Sequence, residues 1–558
     1  MSATITPVLE PLRVADASTL QWAAHCDVLI IGWGAAGASA ALQARAEGAD
    51  VIIADRFTGG GASAKSGGVV YAGGGTRHQQ AAGFNDTPQA MFDYLRHETQ
   101  GVVSDETLRR FCDTSVSNLQ WLEGHGAPYA HQMPPGGKTS YPPDGAFLYY
   151  SGNELVPAYA GEHPPAPRGH RTVGKGQGGA VLYSHLQAAC LRAGARPMLQ
   201  SAARRLVLDG NDRVIGAELW CLPPGSKAAS QHAKLAARAE RLQNFAPGYC
   251  DRLRQRASAL EQAYARPCLV RANHGVILST GGFIFNRELI KAHAPKFRRN
   301  FKVGATGCDG SGLRLGLSVG AVSDRLERVS AWRFINPPYS WHKGIVVNRA
   351  GQRFCNEEVY GATLGQPLME EQGGQAWLVL DAALRKKALR EALFGGYWWF
   401  QTVPALALML LGIRKGKSLQ QLAAATGMQP ENLRQAVLAN NAAASGHAPD
   451  PFGKSADGRQ ALEQGPFYAC DISVGNPIFP LGALTLGGLR VNEDTGAVLD
   501  AQGQSIAGLF AAGRAAVGIP SHLYISGLSL ADCVFSGRRA GTAVAQRAGS
   551  AMDCEVAS

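Results

Sequence analysis

Three observations predict an α/β fold with a Rossmann-like nucleotide-binding domain. First, the apolar run 28–31 is typical of a buried strand, and a glycine turn, Gly32-Trp33-Gly34-Ala35-Ala36-Gly37, follows it directly. Second, residues 36–47 are rich in alanine and have high helix propensity. Third, another apolar run, 51–54, ends in Asp55. Strand, turn, helix and strand therefore occur in the order that a dinucleotide-binding unit requires.

Each glycine of the turn has a distinct predicted role. Gly32 permits the tight turn, Gly34 lets the backbone approach a diphosphate, and Gly37 lets the helix pack closely against the strand. The helix N-terminus presents unpaired N–H groups to the anion. Asp55 is placed to accept hydrogen bonds from ribose hydroxyls. The nucleotide-binding residues predicted for this region are Gly32, Gly34, Ala35, Ala36, Gly37, Asp55 and Arg56.

A long run rich in small residues, 59–68, followed by a glycine triplet, 73–75, comes after Asp55 and favours FAD over NAD as the cofactor. Backbone of this composition can lie against an extended ligand, with Ser63 and Ser66 as hydrogen-bond donors. Near the other end of the chain, residues 509–514 and 524–530 predict a second turn that closes beneath the same cofactor. The further FAD contacts predicted from these regions are Ser63, Ala64, Ser66, Gly67, Gly68, Gly281, Gly513, Arg514, Gly527, Ser529 and Leu530.

Length and composition indicate the class of protein. A chain of 558 residues exceeds what one hydrophobic core usually supports, so we expect two structural units. Hydrophobic residues make up 46% and charged residues 17%, which is typical of a well-buried globular protein. The net charge of +11 favours anionic partners, but no nucleic-acid motif accompanies it. We therefore expect a solvated basic surface or a membrane-facing patch.

The cysteines and residues 1–25 give predictions about metal binding and cellular location. The 11 cysteines include no Cys-x-x-Cys pair and no His/Cys cluster at zinc spacing, so neither a metal nor dithiol chemistry is expected. Residues 1–25 contain Glu10 and Asp16 and lack an apolar core flanked by positive charge, unlike a secretory signal. A cytoplasmic, reduced location is predicted.

One apolar segment, 394–413, has about the length needed to cross a bilayer, and basic residues follow it. A single crossing would separate the two halves of the predicted FAD site, so we do not expect one. Two alternatives remain open. The segment is either an amphipathic flap that lies on the bilayer, giving peripheral membrane contact, or a buried helix bent at Pro404.

The remaining sequence predicts a split domain organisation. An FAD-binding domain is expected from 1–298 and 465–558, with a catalytic cap, 299–464, inserted between them. Within the first part, the basic segment 222–268 predicts a helical insertion into a β-meander. For this insertion a solvated face or oligomer contact is favoured over membrane contact, and nucleic acid is the least favoured partner.

Several motifs together resemble the flavoproteins related to fumarate reductase and the 3-ketosteroid dehydrogenases. Besides the glycine turn and the Ser/Gly run they are STGGF at 279–283, GxRFxNE at 351–357, TLGGL at 485–489, and AAG at 511–513 followed by SGLSLAD at 526–532. The resemblance implies an FAD-binding domain of the glutathione-reductase type, with three layers (ββα), and an inserted α+β catalytic cap.

Within this superfamily the chain most closely resembles the 3-ketosteroid Δ4-(5α)-dehydrogenases. Tyr524-Ile525-Ser526-Gly527 matches their Tyr-x-Ser-Gly motif. Tyr360 is the predicted cap tyrosine, because it follows the Asn-Glu element at nearly the spacing of the catalytic arginine in fumarate reductases, and Tyr339 is the second candidate. The absence of that arginine argues against dicarboxylate chemistry. Arg514 stands where flavoproteins commonly carry an acid after the AAG motif.

The resemblance implies a reaction and assigns roles in it. Ser526 takes the C4 proton of a 3-oxo-5α-steroid through a relay with Tyr524 and Tyr360, while hydride leaves C5 for the flavin. A serine alone is too weak a base, so the assisting tyrosines are required. The alternatives are a 3-ketosteroid Δ1-dehydrogenase, a flavin-dependent enone or fumarate-type reductase, and a membrane-surface flavoprotein that passes electrons from a small organic acid to quinone. Quinone is also the candidate electron acceptor for the steroid reaction.

Overall fold

The computed structural model describes the backbone of residues 4–555 and the side chains of residues 4–546. The outermost residues of the predicted FAD-binding parts, 1–3 and 556–558, lie outside the described residues. A nine-stranded sheet forms the centre of the molecule. Its strands are Leu12–Arg13, Ala24–Ile31, Val51–Asp55, Arg196–Leu199, Ser201–Leu208, Val214–Cys221, Arg266–Leu278, Ala497–Leu499 and Ser505–Ala511.

The central sheet combines a parallel core with an antiparallel meander. Strands Ala24–Ile31 and Val51–Asp55 pair in parallel, as the βαβ pattern predicts. The long strand Arg266–Leu278 pairs in parallel with Ala24–Ile31 and with Ser505–Ala511, so the two ends of the chain meet in one sheet. Its first half pairs antiparallel with Val214–Cys221, which forms the meander.

Helices cover the central sheet and bring the two glycine-rich regions together. The C-terminal helix Leu528–Glu555 lies on helix Ala35–Ala46, and a Cβ at Gly541 would stand 2.6 Å from the carbonyl oxygen of Ala40. The other helices of this region are Gly61–Lys65, Arg77–Ala81, Pro88–Thr99, Asp105–Asp113, Ser115–Gly124, Pro157–Ala160 and Gly179–Arg192. A small sheet of Val69–Tyr71, Gly169–Arg171 and Leu148–Tyr149 completes it.

The predicted helical insertion consists of two helices, Lys227–Leu242 and Pro247–Tyr264, which lie between strands Val214–Cys221 and Arg266–Leu278. Pro247 begins the second helix, where its missing N–H is tolerated. The hairpin is fixed to the central domain through Glu261, whose carboxylate lies 2.8 Å from the guanidinium of Arg56. The helical hairpin therefore packs against the central domain over part of its length.

The cap contains an antiparallel sheet, a mixed sheet and helices. A four-stranded sheet has the order Ile345–Asn348, Ala376–Leu380, Phe467–Asp471 and Ile413–Gly416, and a three-stranded sheet has the order Phe301–Lys302, Gly482–Thr485 and Val329–Trp332. Strands Ser323–Asp324 and Gly488–Leu489 form a pair. The helices are Arg287–His293, Ser311–Ser318, Gly361–Glu370, Ala382–Phe394, Trp399–Leu410, Leu419–Thr426 and Pro430–Ala444.

The architecture confirms the predicted α/β class. Strand Phe467–Asp471, however, follows the predicted cap boundary at 464 and pairs with two cap strands. Its N–H and C=O groups need those partners, so the cap sheet extends past that boundary. The exact domain limits otherwise stay a prediction.

Candidate functional site

The glycine turn has the close contacts that its sequence predicts. Gly32 has φ +104°, and a Cβ there would stand 2.6 Å from the carbonyl oxygen of Ser279. A Cβ at Gly37 would overlap the carbonyl oxygen of Gly32. Gly34 is the N-cap of helix Ala35–Ala46 and its cap makes no side-chain hydrogen bond. No capping side chain closes the first turn of this helix, so it remains accessible to an anion, although the N–H of Ala35 donates to Ser63 Oγ at 3.0 Å.

Asp55 stabilises this turn. Its carboxylate accepts the backbone N–H groups of Trp33 and Phe57, each at 2.8 Å, and that of Gly59 at 3.4 Å. Burial raises the pKa of Asp55, and these N–H groups act against the rise. The predicted contact from Asp55 to a ribose would have to use the lone pairs that these bonds leave free.

Arg56 is placed differently from the prediction. Its guanidinium lies 2.8 Å from Glu261 of the helical insertion and 3.1 Å from Asp309, and all three side chains are buried. The Ser258 hydroxyl accepts a further N–H at 3.0 Å. These groups use the charge of Arg56, so its guanidinium is not free for a cofactor, and the predicted cofactor contact at this position stays a prediction.

The Ser/Gly run folds over the glycine turn. Ser63 Oγ accepts the backbone N–H of Ala35 at 3.0 Å, which leaves the serine proton to donate. Ser66 Oγ instead donates to the carbonyl oxygen of Ser63 at 2.7 Å and accepts from Gly68 at 3.1 Å. Ala64 lies inside helix Gly61–Lys65, between these serines. The carbonyl oxygen of Gly67 accepts the Tyr141 hydroxyl at 2.9 Å.

The C-terminal turn lies against the same region. Gly513 has φ +59°, and a Cβ there would stand 2.8 Å from the Cβ of Ala36. Arg514 Nη2 is 3.6 Å from the Cys308 sulfur, and Nη1 is buried without a hydrogen-bond partner among the described residues. A Cβ at Gly281 would approach both the Cys308 sulfur and this guanidinium.

These features fit a bound FAD. The open first turn of helix Ala35–Ala46 and the unpaired Nη1 of Arg514 suit an anionic diphosphate or a negatively charged ring edge. The remaining predicted contacts are at the start of the C-terminal helix: Gly527 has φ +91°, and Ser529 and Leu530 lie in its first turn.

Tyr524 and Ser526 share one side of the segment that leads into the C-terminal helix. Both are partly exposed, whereas Ile525 between them is buried. The Tyr524 ring lies 5.2 Å from that of Trp332 in the cap. Burial raises the pKa of Tyr524 to about 12, so its phenol is neutral at physiological pH. The pair therefore lies where the central domain meets the cap, a common position for ligand sites.

The cap contributes Tyr360 to the region of Tyr524 and Ser526. Its ring packs edge-on against Phe334, with centroids 5.3 Å apart, and Phe334 lies 6.0 Å from Trp332. Burial raises the pKa of Tyr360 well above its ordinary value, and a hydrogen-bonding interaction with Ser526 acts against the rise. The backbone N–H of Tyr360 donates to Asn153 at 2.6 Å, which fixes its position.

Tyr339, the second candidate, lies elsewhere in the cap. Its ring packs edge-on against Tyr397 at 5.8 Å, beside helix Ala382–Phe394. None of its ring contacts within residues 4–546 involves Tyr524 or Tyr360. The structure therefore favours Tyr360 over Tyr339 as the cap tyrosine.

Sequence reasoning missed Tyr149. Its hydroxyl lies 3.0 Å from Ser526 Oγ, and its ring is fully buried. A signal was available, because Tyr149-Tyr150-Ser151-Gly152 repeats the Tyr-x-Ser-Gly pattern of residues 524–527.

Comparison with known proteins agrees with this geometry. A family model described as "FAD binding domain" matches residues 27–527. The chain is 48% identical to the 3-oxo-5-alpha-steroid 4-dehydrogenase of Comamonas testosteroni, over 92% of this chain and 96% of that protein. It is 26% identical to the 3-oxosteroid 1-dehydrogenase of Mycolicibacterium smegmatis, over 89% of this chain and 93% of that protein.

A solved structure extends the likeness to the fold. The 3-ketosteroid-delta4-(5alpha)-dehydrogenase of Rhodococcus jostii RHA1, in complex with 4-androstene-3,17-dione, superposes with a TM-score of 0.79 at 27% identity. The match covers 96% of this chain and 100% of that one. The chain therefore belongs to the FAD-binding flavoprotein family that includes the 3-oxo-5-alpha-steroid 4-dehydrogenases.

Proposed function

We propose that the protein dehydrogenates 3-oxo-5α-steroids between C4 and C5 to give the 3-oxo-4-enes. The observation that carries this proposal is the position of Ser526, which has the Tyr149 hydroxyl 3.0 Å from its Oγ and lies where the central domain meets the cap. Tyr524 lies two residues before it on the same side. The activity named for the Comamonas and Rhodococcus relatives supports the same reaction.

The reaction requires loss of a proton and a hydride from adjacent carbons. The C3 carbonyl acidifies the protons on C4, and Ser526 is the proposed acceptor of one of them, giving up its own proton to the tyrosine relay. Bound FAD would supply the oxidant that accepts the hydride from C5. Tyr524 and Tyr360 have raised pKa values and so are neutral phenols, which suits a hydrogen bond to the substrate carbonyl and passage of the Ser526 proton away from the site. The rings of Trp332 and Phe334 offer an apolar wall.

A panel of three steroids tests this proposal. Purified holoprotein is mixed anaerobically with a 5α-saturated 3-ketosteroid, its 5β epimer and the 4-ene, and flavin bleaching is followed. We expect bleaching by the 5α compound alone. Bleaching by the 4-ene alone would indicate a Δ1-dehydrogenase, and no response to any steroid would contradict steroid oxidation altogether.

We also propose peripheral membrane contact through the apolar segment. Helix Trp399–Leu410 contains Pro404 and is buried on one side only, through Ala405, Leu408 and Met409. No helix within residues 4–555 is long and apolar enough to cross a bilayer. Its outer side and neighbours form an exposed apolar patch in which each side chain is more than half exposed: Phe245, Leu393, Phe394, Trp399, Val403, Leu410 and Leu411.

The helical insertion, 222–268, contributes to this patch together with the apolar segment. Phe245, between the helices of the 222–268 insertion, stacks on Trp399 with centroids 5.5 Å apart and planes 14° apart. Exposed Arg414, Lys415 and Lys417 follow the helix and complement an anionic surface. An apolar steroid dissolved in the bilayer would then be delivered close to the site, and a quinone in the same phase is the proposed electron acceptor.

Val403→Glu is expected to weaken binding to vesicles of phosphatidylcholine and phosphatidylglycerol about tenfold, because it places a charge in the patch. Co-sedimentation measures the bound fraction. Leu191→Glu, at a half-exposed leucine on helix Gly179–Arg192, is the matched control and should bind like the unaltered protein. Equal binding by both variants would contradict the proposed contact.

A further inference from the structure

A second Tyr-x-Ser-Gly sequence, residues 149–152, lies directly beside the first. The backbone N–H of Ser526 donates to the carbonyl oxygen of Ser151 at 3.2 Å, and the Ser151 hydroxyl donates to the carbonyl oxygen of Ser526 at 3.1 Å. These reciprocal bonds fix the two segments against each other. The catalytic segment therefore has a fixed partner from the small sheet of the central domain.

Within this pair, Tyr149 reaches the side chain that the proposed reaction uses. Its hydroxyl oxygen is 3.0 Å from Ser526 Oγ, within hydrogen-bond distance. Tyr149 ends strand Leu148–Tyr149, which pairs with Gly169–Arg171, and its ring packs with Val69 and Tyr141. The phenol is thus held rigidly, and burial raises its pKa, so it remains a neutral hydroxyl.

We propose that Tyr149 is a positioning residue for Ser526. A serine hydroxyl rotates about its Cβ–Oγ bond, and its proton and lone pairs turn with it. The hydrogen bond to the Tyr149 hydroxyl fixes this rotation, so that a lone pair of Oγ faces the open side of the segment, where C4 of the substrate would lie, while the Ser526 proton leaves through the proposed relay with Tyr360. The inference rests on the proposed role of Ser526 as acceptor of the C4 proton.

The arrangement gives Ser526 one phenol from each domain. Tyr360 approaches from the cap and Tyr149 from the central domain, and the cap tyrosine also interacts with the serine hydroxyl. With both phenols present, the rotamer of Ser526 does not depend on the substrate. Orientation of this kind lowers the barrier because the reacting group is already placed when the substrate binds.

Tyr149→Phe tests the inference, with Tyr150→Phe as the matched control. The Tyr150 hydroxyl donates to the carbonyl oxygen of Pro165 at 3.3 Å and makes no described contact with Ser526. For Tyr149→Phe we expect flavin reduction by the 5α-steroid to slow about tenfold or more. The kinetic isotope effect of deuterium at C4 should rise, because proton removal becomes more rate-limiting, and that of deuterium at C5 should not rise. Tyr150→Phe should leave both isotope effects unchanged.

A double-mutant cycle separates this role from a structural one. In the Ser526→Ala background, Tyr149→Phe should cause no further loss of rate. Should Tyr149→Phe lose flavin, 3-fluorotyrosine at position 149 keeps the ring and hydroxyl but changes the strength of the hydrogen bond to Ser526, and a change of the C4 isotope effect without a change of the C5 isotope effect is expected. An equal loss in both backgrounds, or an unchanged C4 isotope effect, would overturn the inference. A fully active Ser526→Ala protein would instead overturn the proposed function.

Discussion

Tyr524→Phe is expected to reduce the rate of flavin reduction by the 5α-steroid about 10²- to 10⁴-fold, the usual range for loss of a positioned proton donor or acceptor. The substitution removes only the hydroxyl. The ring contact with Trp332, 5.2 Å between centroids, is retained, so folding and flavin content should not change. Anaerobic stopped-flow measurement of the flavin absorbance gives the rate.

The same experiment compares the two cap tyrosines. Tyr360→Phe should cause a loss of similar size, since this phenol interacts with Ser526. Tyr339→Phe should leave the rate close to that of the unaltered protein, because this ring packs against Tyr397 instead. If Tyr524→Phe reduces its flavin at the normal rate, the assignment of the site is wrong; if Tyr339→Phe is the slow variant, the choice of cap tyrosine is wrong.

Local sequence patterns predicted the cofactor region well. The order of strand, glycine turn, helix and strand is determined by neighbouring residues, and the structure has Ala24–Ile31, Ala35–Ala46 and Val51–Asp55 in that order. The requirement for glycine at position 32 is also local in origin, since the turn imposes a positive φ. Such local patterns can be predicted from sequence because the residues that form the turn also impose its backbone conformation.

Partners supplied by distant segments were not predictable in the same way. Arg56 follows Asp55 directly, which suggested a cofactor contact, but Glu261 and Asp309 come from segments more than 200 residues away in the chain. No local pattern indicates where the helical insertion docks. A buried guanidinium requires such carboxylates, so their position determines the role of Arg56.

Tyr149 illustrates the same limit in the catalytic region. It is separated from Ser526 by 377 positions, and the packing of strand Leu148–Tyr149 beside the segment 524–527 places the two hydroxyls 3.0 Å apart. The repeated Tyr-x-Ser-Gly pattern is visible in the sequence. Only the reciprocal hydrogen bonds between Ser151 and Ser526 show that its two copies lie side by side. Long-range pairing of this kind depends on the whole fold.

Gly32→Ala is expected to give a protein that lacks FAD. The added Cβ would stand 2.6 Å from the carbonyl oxygen of Ser279, and the residue would have to keep φ at +104°. Either the turn or the segment after strand Arg266–Leu278 that carries Ser279 must move, which displaces the N-terminus of helix Ala35–Ala46 from the anion. Absorbance at flavin wavelengths relative to protein measures the bound cofactor.

Gly83→Ala separates the effect of the close contact from that of backbone strain. Gly83 also has a positive φ, +85°, but no atom lies within 4 Å of its added Cβ. Both variants should lose about 1–2 kcal/mol of stability from the left-handed conformation, and Gly32→Ala should lose about 1–3 kcal/mol more from overpacking. Only Gly32→Ala should lose flavin. A yellow Gly32→Ala protein with normal flavin content would show that the diphosphate does not bind at this turn.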